Sequence, residues 1–404
     1  MGVFDKMLSS EYKERFIEKK NNKFGLNEDY KQLIKAYIYS EECDKDIIAL
    51  KNGDYFLPPP KQHYVRKSHS TKRRKVYSFR DNSRYILQYM AFVLMDFDHL
   101  YVPYLCSFRT DNRTKSFFKT LRKFDPHREL FVMQTDIHDF GGSVDQDILL
   151  DIVRPLFEDD PEFMAFLSWL MTRNQFYYKG KLYNEKVSII EGLPIGSFLL
   201  NNYLRSIDNI LDPKAGMYVR YTDDIAFFTD SEEKAKWALS VVRDYSKKLN
   251  VEVNEEKTGI RKPGEEVELL GIQIYDGGYD IGRNAISKLK SKLKRKSDRL
   301  IRDQRYGRIT PEKAMEYMVK FYDRTFFGKK VEDHEFNWVI HAFPIITRTD
   351  SLKELDSHSQ DCIRKAVSGK LGNAKYRVKY DDMRRAGYKN LLHAYYHGYT
   401  FEEV

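Results

Sequence analysis

The stretch from Met217 to Asp230, MYVRYTDDIAFFTD, sets two adjacent carboxylates, Asp223 and Asp224, between runs of aromatic and β-branched residues. Strand-forming runs on either side of the turn-compatible Thr222 and Asp223 predict a β-hairpin with acids at its tip. An acid pair alone carries little weight: at ~5% Asp usage about one is expected in a chain of this length. Three occur, Asp159–Asp160, Asp223–Asp224 and Asp381–Asp382. The first lies in FEDDPEF, which reads as a solvated turn before a helix. The last lies in KYDDMRR, where the acids suit a helix start. A further carboxylate comes from FVMQTDIHDF, in which Asp136 closes a hydrophobic strand. A strand end beside a hairpin tip can bring distant acids together, and converging carboxylates repel unless cations sit between them. Two Mg2+ ions ~3.5–4 Å apart would satisfy that charge, activating an attacking 3′-hydroxyl and stabilising a departing pyrophosphate. Mg2+ takes few protein carboxylates and completes its shell with water and phosphate oxygens.

The 404 residues carry a net charge of +9, and this length predicts two or three subdomains. Hydrophobic content of 42% suits a globular protein. Tyr (29) and Phe (26) accompany the excess of Lys and Arg, a mixture that suits nucleic acid, since cations meet phosphates and rings stack on bases. A membrane partner is the rival for a basic chain, but no apolar run approaches the ~20 residues that span a bilayer. The start, MGVFDKMLSSEYKERF, lacks an apolar signal segment, and Lys6 stands where a myristoylation motif requires Ser or Thr. Cys43, Cys106 and Cys362 form no CxxC pair, and the ten His residues form no HExxH. A reduced, cytoplasmic protein without a structural metal is expected.

Residues 1–50 read as charged amphipathic helices, and LPPPKQ marks a boundary. The basic VRKSHSTKRRKVYSF precedes YILQYMAFVLMDF, a buried helix. From QDILLDIVRPLF to FLSWLMTRNQF the period is helical, and IIEGLPIG is a turn. KAKWALSVVRDYSKKL is an amphipathic helix, and VEVNEEKTGI and VELLGIQIYDGGY are short strands and turns. Mixed, irregularly alternating elements predict an α+β fold rather than a doubly wound sheet. One helix is expected from Asn284 to Asp303. Ile286, Leu289, Leu293 and Leu300 form its apolar stripe, and Lys288, Lys292, Arg295, Arg299 and Arg302 lie opposite. Arg283 to Arg308 holds eleven basic residues against Asp298 and Asp303, an imbalance that repels itself unless a polyanion is present.

The order TDIHDF, GLPIG, YTDD, NEEKT, LLGIQI resembles motifs A to E of the reverse-transcriptase palm. The resemblance covers residues 60–285 well and the basic tail more loosely. It implies a right-hand polymerase fold with a helical basic thumb. The N-terminal helical extension would be 1–56, the fingers 57–128 with help from 145–190, the palm 129–282, and the thumb and RNA- or duplex-binding region 283–404. It further implies that Asp136 and Asp223 ligate both catalytic metals with the Ile137 carbonyl, and that Asp224 supports them. Mg2+ is the expected ion, with Mn2+ as a substitute. Lys257 would protonate departing pyrophosphate. Gly192, Pro194 and Gly196 would let the backbone approach the incoming nucleotide and template base. Tyr221, Leu270 and Gly271 would meet the primer, and Lys288, Lys292, Arg295, Arg299 and Arg302 the template–primer duplex. In the finger-like KRRKVYSF and CSFRTDNRTKS, Arg74, Lys75 and Arg109 would clasp the triphosphate. For Lys72 and Arg73, a basic loop facing solvent or template stands as an alternative.

Two departures stand out. Gly141 occupies the position where an aromatic usually excludes ribonucleotides, which leaves Phe140 as a substitute or discrimination weak. In PIGSFLLNNYL, Leu199 and Leu200 replace small polar residues. GLPIG is similar to the bacterial branch of retrons, group II intron enzymes and defence-associated reverse transcriptases. A short chain with neither an HNH-type His cluster nor a zinc-binding Cys set is most similar to the defence-associated enzymes, the type 2 group among them. That implies dNTP substrates, a partner structured noncoding RNA as template, a cDNA duplex product, and a cytoplasmic, antiphage role. A retron enzyme, a template-independent polymerase of the abortive-infection type, and a catalytically silent maturase-like RNA-binding module remain the alternatives.

Overall fold

The apolar periodicity of residues 1–50 folds as four helices, α1 (Val3–Leu8), α2 (Ser10–Asn21), α3 (Glu28–Ile38) and α4 (Glu41–Lys51). This is a computed structural model. It describes all residues except 23–25, 56, 67–72, 110–115, 118–119, 121–129, 186–187, 189–190, 276–277, 329–337, 339–341, 370–377 and 399–404. Lys72 and all of TDNRTK therefore lie outside the described residues. Two side chains cap helices as their types predict: Asn27 accepts from the Asp29 amide and Ser40 from the Cys43 amide. Phe4, Met7, Phe16, Ile34, Ile38 and Ile47 bury the apolar faces in a core that runs on to Val251.

The chain then forms the antiparallel hairpin of β1 (Lys61–Arg66) and β2 (Arg73–Ser78), followed by the buried helix α5 (Asp81–Val93). After β3 (Phe131–Thr135) come the short α6 (Phe140–Ser143), α7 (Gln146–Val153) and α8 (Pro161–Thr172). Asp160 caps α8 through the Phe163 amide and accepts the Val3 amide at 2.6 Å, so one acid of FEDDPEF ties α8 to the start of the chain. The hairpin of β4 (Gln175–Tyr178) and β5 (Lys181–Asn184) turns at Lys179–Gly180, both at positive φ. It completes a sheet of order β2-β1-β4-β5.

Helices α9 (Gly196–Tyr203) and α10 (Arg205–Leu211) lead into β6 (Met217–Tyr221) and β7 (Asp224–Thr229). The amphipathic α11 (Glu232–Lys248) and β8 (Gly259–Arg261) follow. These strands form a second sheet, β6-β7-β3-β8. Residues 1–114 and 130–260 make one compact unit, and 115–129 with 261–404 make another. Residues 261–282, placed with the palm on sequence grounds, thus group with the C-terminal unit. There β9 (Val267–Leu269), β10 (Ile272–Tyr275) and β11 (Gly278–Ile281) form a three-stranded sheet of order β11-β10-β9. Helices α12 (Arg283–Arg305), α13 (Pro311–Phe326) and α14 (Asp350–Ser368) pack on one another, joined by α15 (Tyr380–Arg385) and α16 (Leu391–His397). Asp382 returns to the Lys379 amide at 2.9 Å, so the second acid of KYDDMRR starts α15.

Gly192 serves the fold. It sits at φ +100°, and an added Cβ would lie 2.0 Å from the Tyr77 carbonyl oxygen of β2. The neighbouring Glu191 carbonyl accepts the Tyr77 amide at 2.7 Å. The missing side chain admits a strand of this chain rather than a nucleotide. Gly192→Ala is expected to cost about 2 kcal/mol or more, combining positive-φ strain with a backbone clash. Urea unfolding should show the midpoint falling with an unchanged slope.

Candidate active site

Antiparallel pairing brings the acids to one end of the β6-β7-β3-β8 sheet. β3 and β7 pair from Phe131 opposite Thr229 to Thr135 opposite Ile225. One step further in that register places Asp136 opposite Asp224. Tyr221 pairs with Asp224, so Thr222 and Asp223 form a two-residue turn at the same end. Beyond β3, Ile137 bridges Val253, flanked by bonds from the His138 amide to Glu252 and from the Asn254 amide to Asp136. Ile137 is then the non-hydrogen-bonded member of the pair, and its own carbonyl faces the β7 side.

The charges at this end are in conflict. Burial pushes the Asp223 carboxyl up to about 6, and the charge of Asp136 adds to it. Burial likewise pushes Asp224 up to about 7, with Asp136 and then Asp223 opposing its ionisation. Asp136 is 6% exposed. Its Oδ2 accepts from Lys257 Nζ at 2.8 Å and from Asn254 Nδ2 at 3.0 Å. Burial works against the Lys257 charge, but its hydrogen bond to Asp136 and the three acids together hold the ammonium above its ordinary range. Asn254 was not singled out from sequence. Its amide and carbonyl also shape the turn that delivers Lys257, since the Lys257 amide bonds the Asn254 carbonyl at 3.0 Å.

The turn that carries the acids is strained and clamped. Thr222, a β-branched residue, sits at φ +59°. Its amide donates to Ser107 Oγ at 2.9 Å, and its carbonyl accepts from Arg220 Nη1 at 2.8 Å. Arg220 is fully buried and pairs with the equally buried Asp208 of α10 through Nε at 2.6 Å and Nη2 at 2.5 Å. Tyr218 donates to the same carboxylate at 2.6 Å. Arg220 also reaches the Asn201 carbonyl of α9, and the Asn201 side chain donates to the Ser107 carbonyl, both at 3.1 Å. The signal for this cage was present in MYVRY: a charge inside an otherwise buried strand must be paired.

Several expected roles give way to structural ones. Arg109 is 2% exposed, with Nε and Nη2 on the Asp98 carboxylate at 2.6 and 3.0 Å and Nη1 on the Val102 carbonyl, so it is not available to a triphosphate. Phe140 is buried against Tyr203, because the left-handed Asp139 (φ +45°) turns it into the core, so it cannot stand in at a sugar. Arg74 and Lys75 are both exposed but consecutive on β2, and so face opposite ways. Arg74 shares its face with Val76 and Ser78. Gly141 is buried, and an added Cβ would lie 2.6 Å from Glu191 Cγ. Pro194 lies just before α9, and Gly196 opens that helix. Tyr221 is exposed beside the acids. In the C-terminal unit, Leu270 and Gly271 form the β9–β10 turn, at φ +50° and +83°. Lys288, Lys292, Arg295, Arg299 and Arg302 all lie exposed on α12, opposite the buried Leu289, Leu293 and Leu300.

A model of the reverse transcriptase (RNA-dependent DNA polymerase) family matches residues 65–274, over half of the chain. The chain belongs to this family. The matched span contains Asp136, Asp223, Asp224, Lys257 and the β9–β10 turn. An enzymatic polyprotein of Cassava vein mosaic virus is 27% identical over 147 residues, 35% of this chain and 20% of the polyprotein. The chain thus spans about a fifth of that relative's length. Apo telomerase from Candida tropicalis aligns over 84% of this chain and 62% of its own, with 11% identity and a TM-score of 0.47. Telomerase from Candida albicans, in complex with a TWJ fragment of telomeric RNA, aligns over 92% and 66%, with 9% identity and a TM-score of 0.46. The mixed helices and sheets of the chain bear out the α+β fold class. The sheet β6-β7-β3-β8 carries Asp136, Asp223 and Asp224 at one end, and α12 carries an exposed basic face.

The Arg220 cage separates folding from catalysis in a testable way. Asp208→Asn weakens a buried pair and should destabilise the reverse-transcriptase unit, up to the ~3–5 kcal/mol typical of breaking such pairs. The triple variant Asp208→Leu, Tyr218→Phe, Arg220→Met removes the three polar side chains but leaves the Asn201 and Thr222 carbonyls without their donor, so in urea unfolding it should lose less stability than Asp208→Asn without regaining the parent's. It nevertheless releases Thr222, so the rate of primer extension should fall about tenfold or more at unchanged RNA affinity.

Proposed function

We propose that this protein is an RNA-directed DNA polymerase that copies a structured noncoding RNA into cDNA from dNTPs. The observation that carries the reading is the approach of Asp136 to the Asp223–Asp224 turn, on a chain of the reverse transcriptase family. Three carboxylates and a main-chain carbonyl form an all-oxygen donor set, which suits a hard divalent cation. Among the described residues no ready-made cage of three or more His, Cys, Asp or Glu side chains is present. Asp136 is turned onto Lys257 and Asn254, and a Mg2+ site of this kind draws much of its shell from water and the substrate's phosphates. Asp136, Asp223 and the Ile137 carbonyl would hold two Mg2+ ions, with Mn2+ as a substitute and Asp224 in support. When bound, the ions would supply charge stabilisation at the attacking and leaving oxygens.

The chain's own groups account for the rest. Lys257 keeps a proton on Nζ at the edge of the acid cluster, where departing pyrophosphate would need one. Arg74 would meet the triphosphate from one face of β2. Tyr221 and the Leu270–Gly271 turn would contact the primer. The cations of α12 would track the template–primer duplex, neutralising phosphates on one exposed helix face. No helix among the described residues is long and apolar enough to cross a membrane. The GLPIG motif supports the finer reading of a bacterial, cytoplasmic, defence-associated enzyme.

Asp223→Asn with Asp224→Asn is expected to abolish dNTP incorporation while RNA affinity stays within about twofold. Because both carboxylates are held against their neighbours' charge, the variant should melt no lower than the parent. Incorporation by the double variant would overturn the reading. Sequencing the product separates templated copying from untemplated addition: a cDNA complementary to co-purified RNA is expected.

Ribonucleotide discrimination should be weak, since no aromatic ring stands at Gly141. A ring there needs room, so the comparison is Gly141→Phe combined with Glu191→Ala. The parent should insert ribonucleotides at a measurable rate in primer extension, and the double variant at least tenfold more slowly.

A further inference from the structure

Lys257 and Asn254 hold the same atom of Asp136, but they are anchored very differently. Asp136 Oδ2 accepts from Lys257 Nζ at 2.8 Å and from Asn254 Nδ2 at 3.0 Å. A carboxylate oxygen offers about two lone-pair sites, so these two donors fill it. An ion that binds through Oδ2 must displace one of them.

The turn that carries both donors is fixed to β3. The Asn254 amide donates to the Asp136 carbonyl at 2.7 Å, and Thr258 Oγ1 donates to the Asn254 carbonyl at 2.9 Å. Thr258 Oγ1 also lies 2.7 Å from Thr135 Oγ1, one residue before Asp136. Asn254 thus presents a short side chain from an anchored backbone. Lys257 reaches in from solvent: its side chain is 61% exposed, against 9% for that of Asp136. A flexible four-carbon stem lets its ammonium swing away without disturbing the turn.

Charge sets the direction of exchange. At Asp223 and Asp224, burial and then the charge of Asp136 work against ionisation, and the Lys257 ammonium works for it. One ammonium cannot neutralise three carboxylates. A divalent ion carries twice the charge and binds several carboxylates at once, whereas Lys257 is bonded to one oxygen of one acid.

Resting on the metal-dependent polymerase reading above, we propose that Lys257 is a place-holding cation. It occupies Asp136 Oδ2 in the ion-free protein and yields that oxygen to a divalent cation, while Asn254 stays and keeps the carboxylate aimed. The ammonium is then released toward departing pyrophosphate only after an ion has taken its place.

The test reads Mn2+ binding to the full chain without RNA or nucleotide, at one fixed pH, by electron paramagnetic resonance of the free ion. Lys257→Met keeps much of the stem and removes the charge. It should tighten Mn2+ binding about tenfold, because the bond it deletes exists only in the ion-free protein. Without Mn2+ this variant should melt below the parent, and saturating Mn2+ should close the gap. Asn254→Ala should instead weaken Mn2+ binding about threefold or more. A merely structural role for the pair gives both variants the same sign. Adding Asp223→Asn and Asp224→Asn should abolish binding in the parent and in Lys257→Met alike, which assigns the ion to the acids. Lys257 is exposed and Asn254 half-buried, and unchanged circular dichroism would verify that both variants fold. Unchanged or weaker Mn2+ binding by Lys257→Met overturns the proposal, as does a tightening that survives loss of both acids. Templated primer extension by the parent, with Mn2+ affinity unchanged in Lys257→Met, removes the place-holder and leaves the polymerase reading. Tightened binding in a chain whose parent extends no primer does the reverse.

Discussion

The structure is organised around a repulsion. Asp136, Asp223 and Asp224 are brought within reach of one another, partly out of water, with one lysine ammonium among them. Left to itself such a group would spread apart or take up protons. The antiparallel sheet prevents the first. β3 ends where β7 begins, so a strand terminus and a hairpin tip must share one edge. Antiparallel order sets the C-terminal end of β3 beside the N-terminal end of β7, so acids from distant parts of the chain meet there.

The turn itself resists its position, and its strain is balanced by a buried polar cage. The Asp208–Arg220 pair is a poor stabiliser by the usual comparison, because desolvation offsets most of its Coulomb attraction. Its value lies in direction. The guanidinium is a rigid fork, and here four hydrogen bonds from it divide between a carboxylate on α10, a carbonyl on α9 and the Thr222 carbonyl. An apolar side chain could fill the same volume but could not fix where the Thr222 carbonyl points.

Much of this was legible in the residues. The β6–β7 hairpin, the strand ending at Asp136 and the apolar and basic faces of α12 follow from period and turn chemistry, which are local properties. Arg109, Phe140 and Gly192 were read otherwise because their roles are set by partners far away in sequence or by one backbone angle. Arg109 looks like any finger arginine until Asp98 is found beside it. Phe140 depends on the left-handed turn at Asp139. Gly192 answers to a carbonyl of β2, which no spacing within GLPIG reveals. The cage could have been suspected from Arg220 alone, but Asp208 as its partner could not.

The second unit holds the complementary problem. On α12, Lys292 is driven below its ordinary range by burial and by Arg324 and Arg295, and Lys296 by burial and Arg299. Both ammonium groups lie over the Phe321 ring, at 5.5 and 5.6 Å, which spreads their charge only in part. An acid cluster short of cations and a helix face short of anions each cost stability while empty. A polyanion would relieve the helix face, and divalent cations would relieve the acids. Each unit thus carries its own electrostatic demand, opposite in sign to the other's, and each is met by a ligand of the opposite charge.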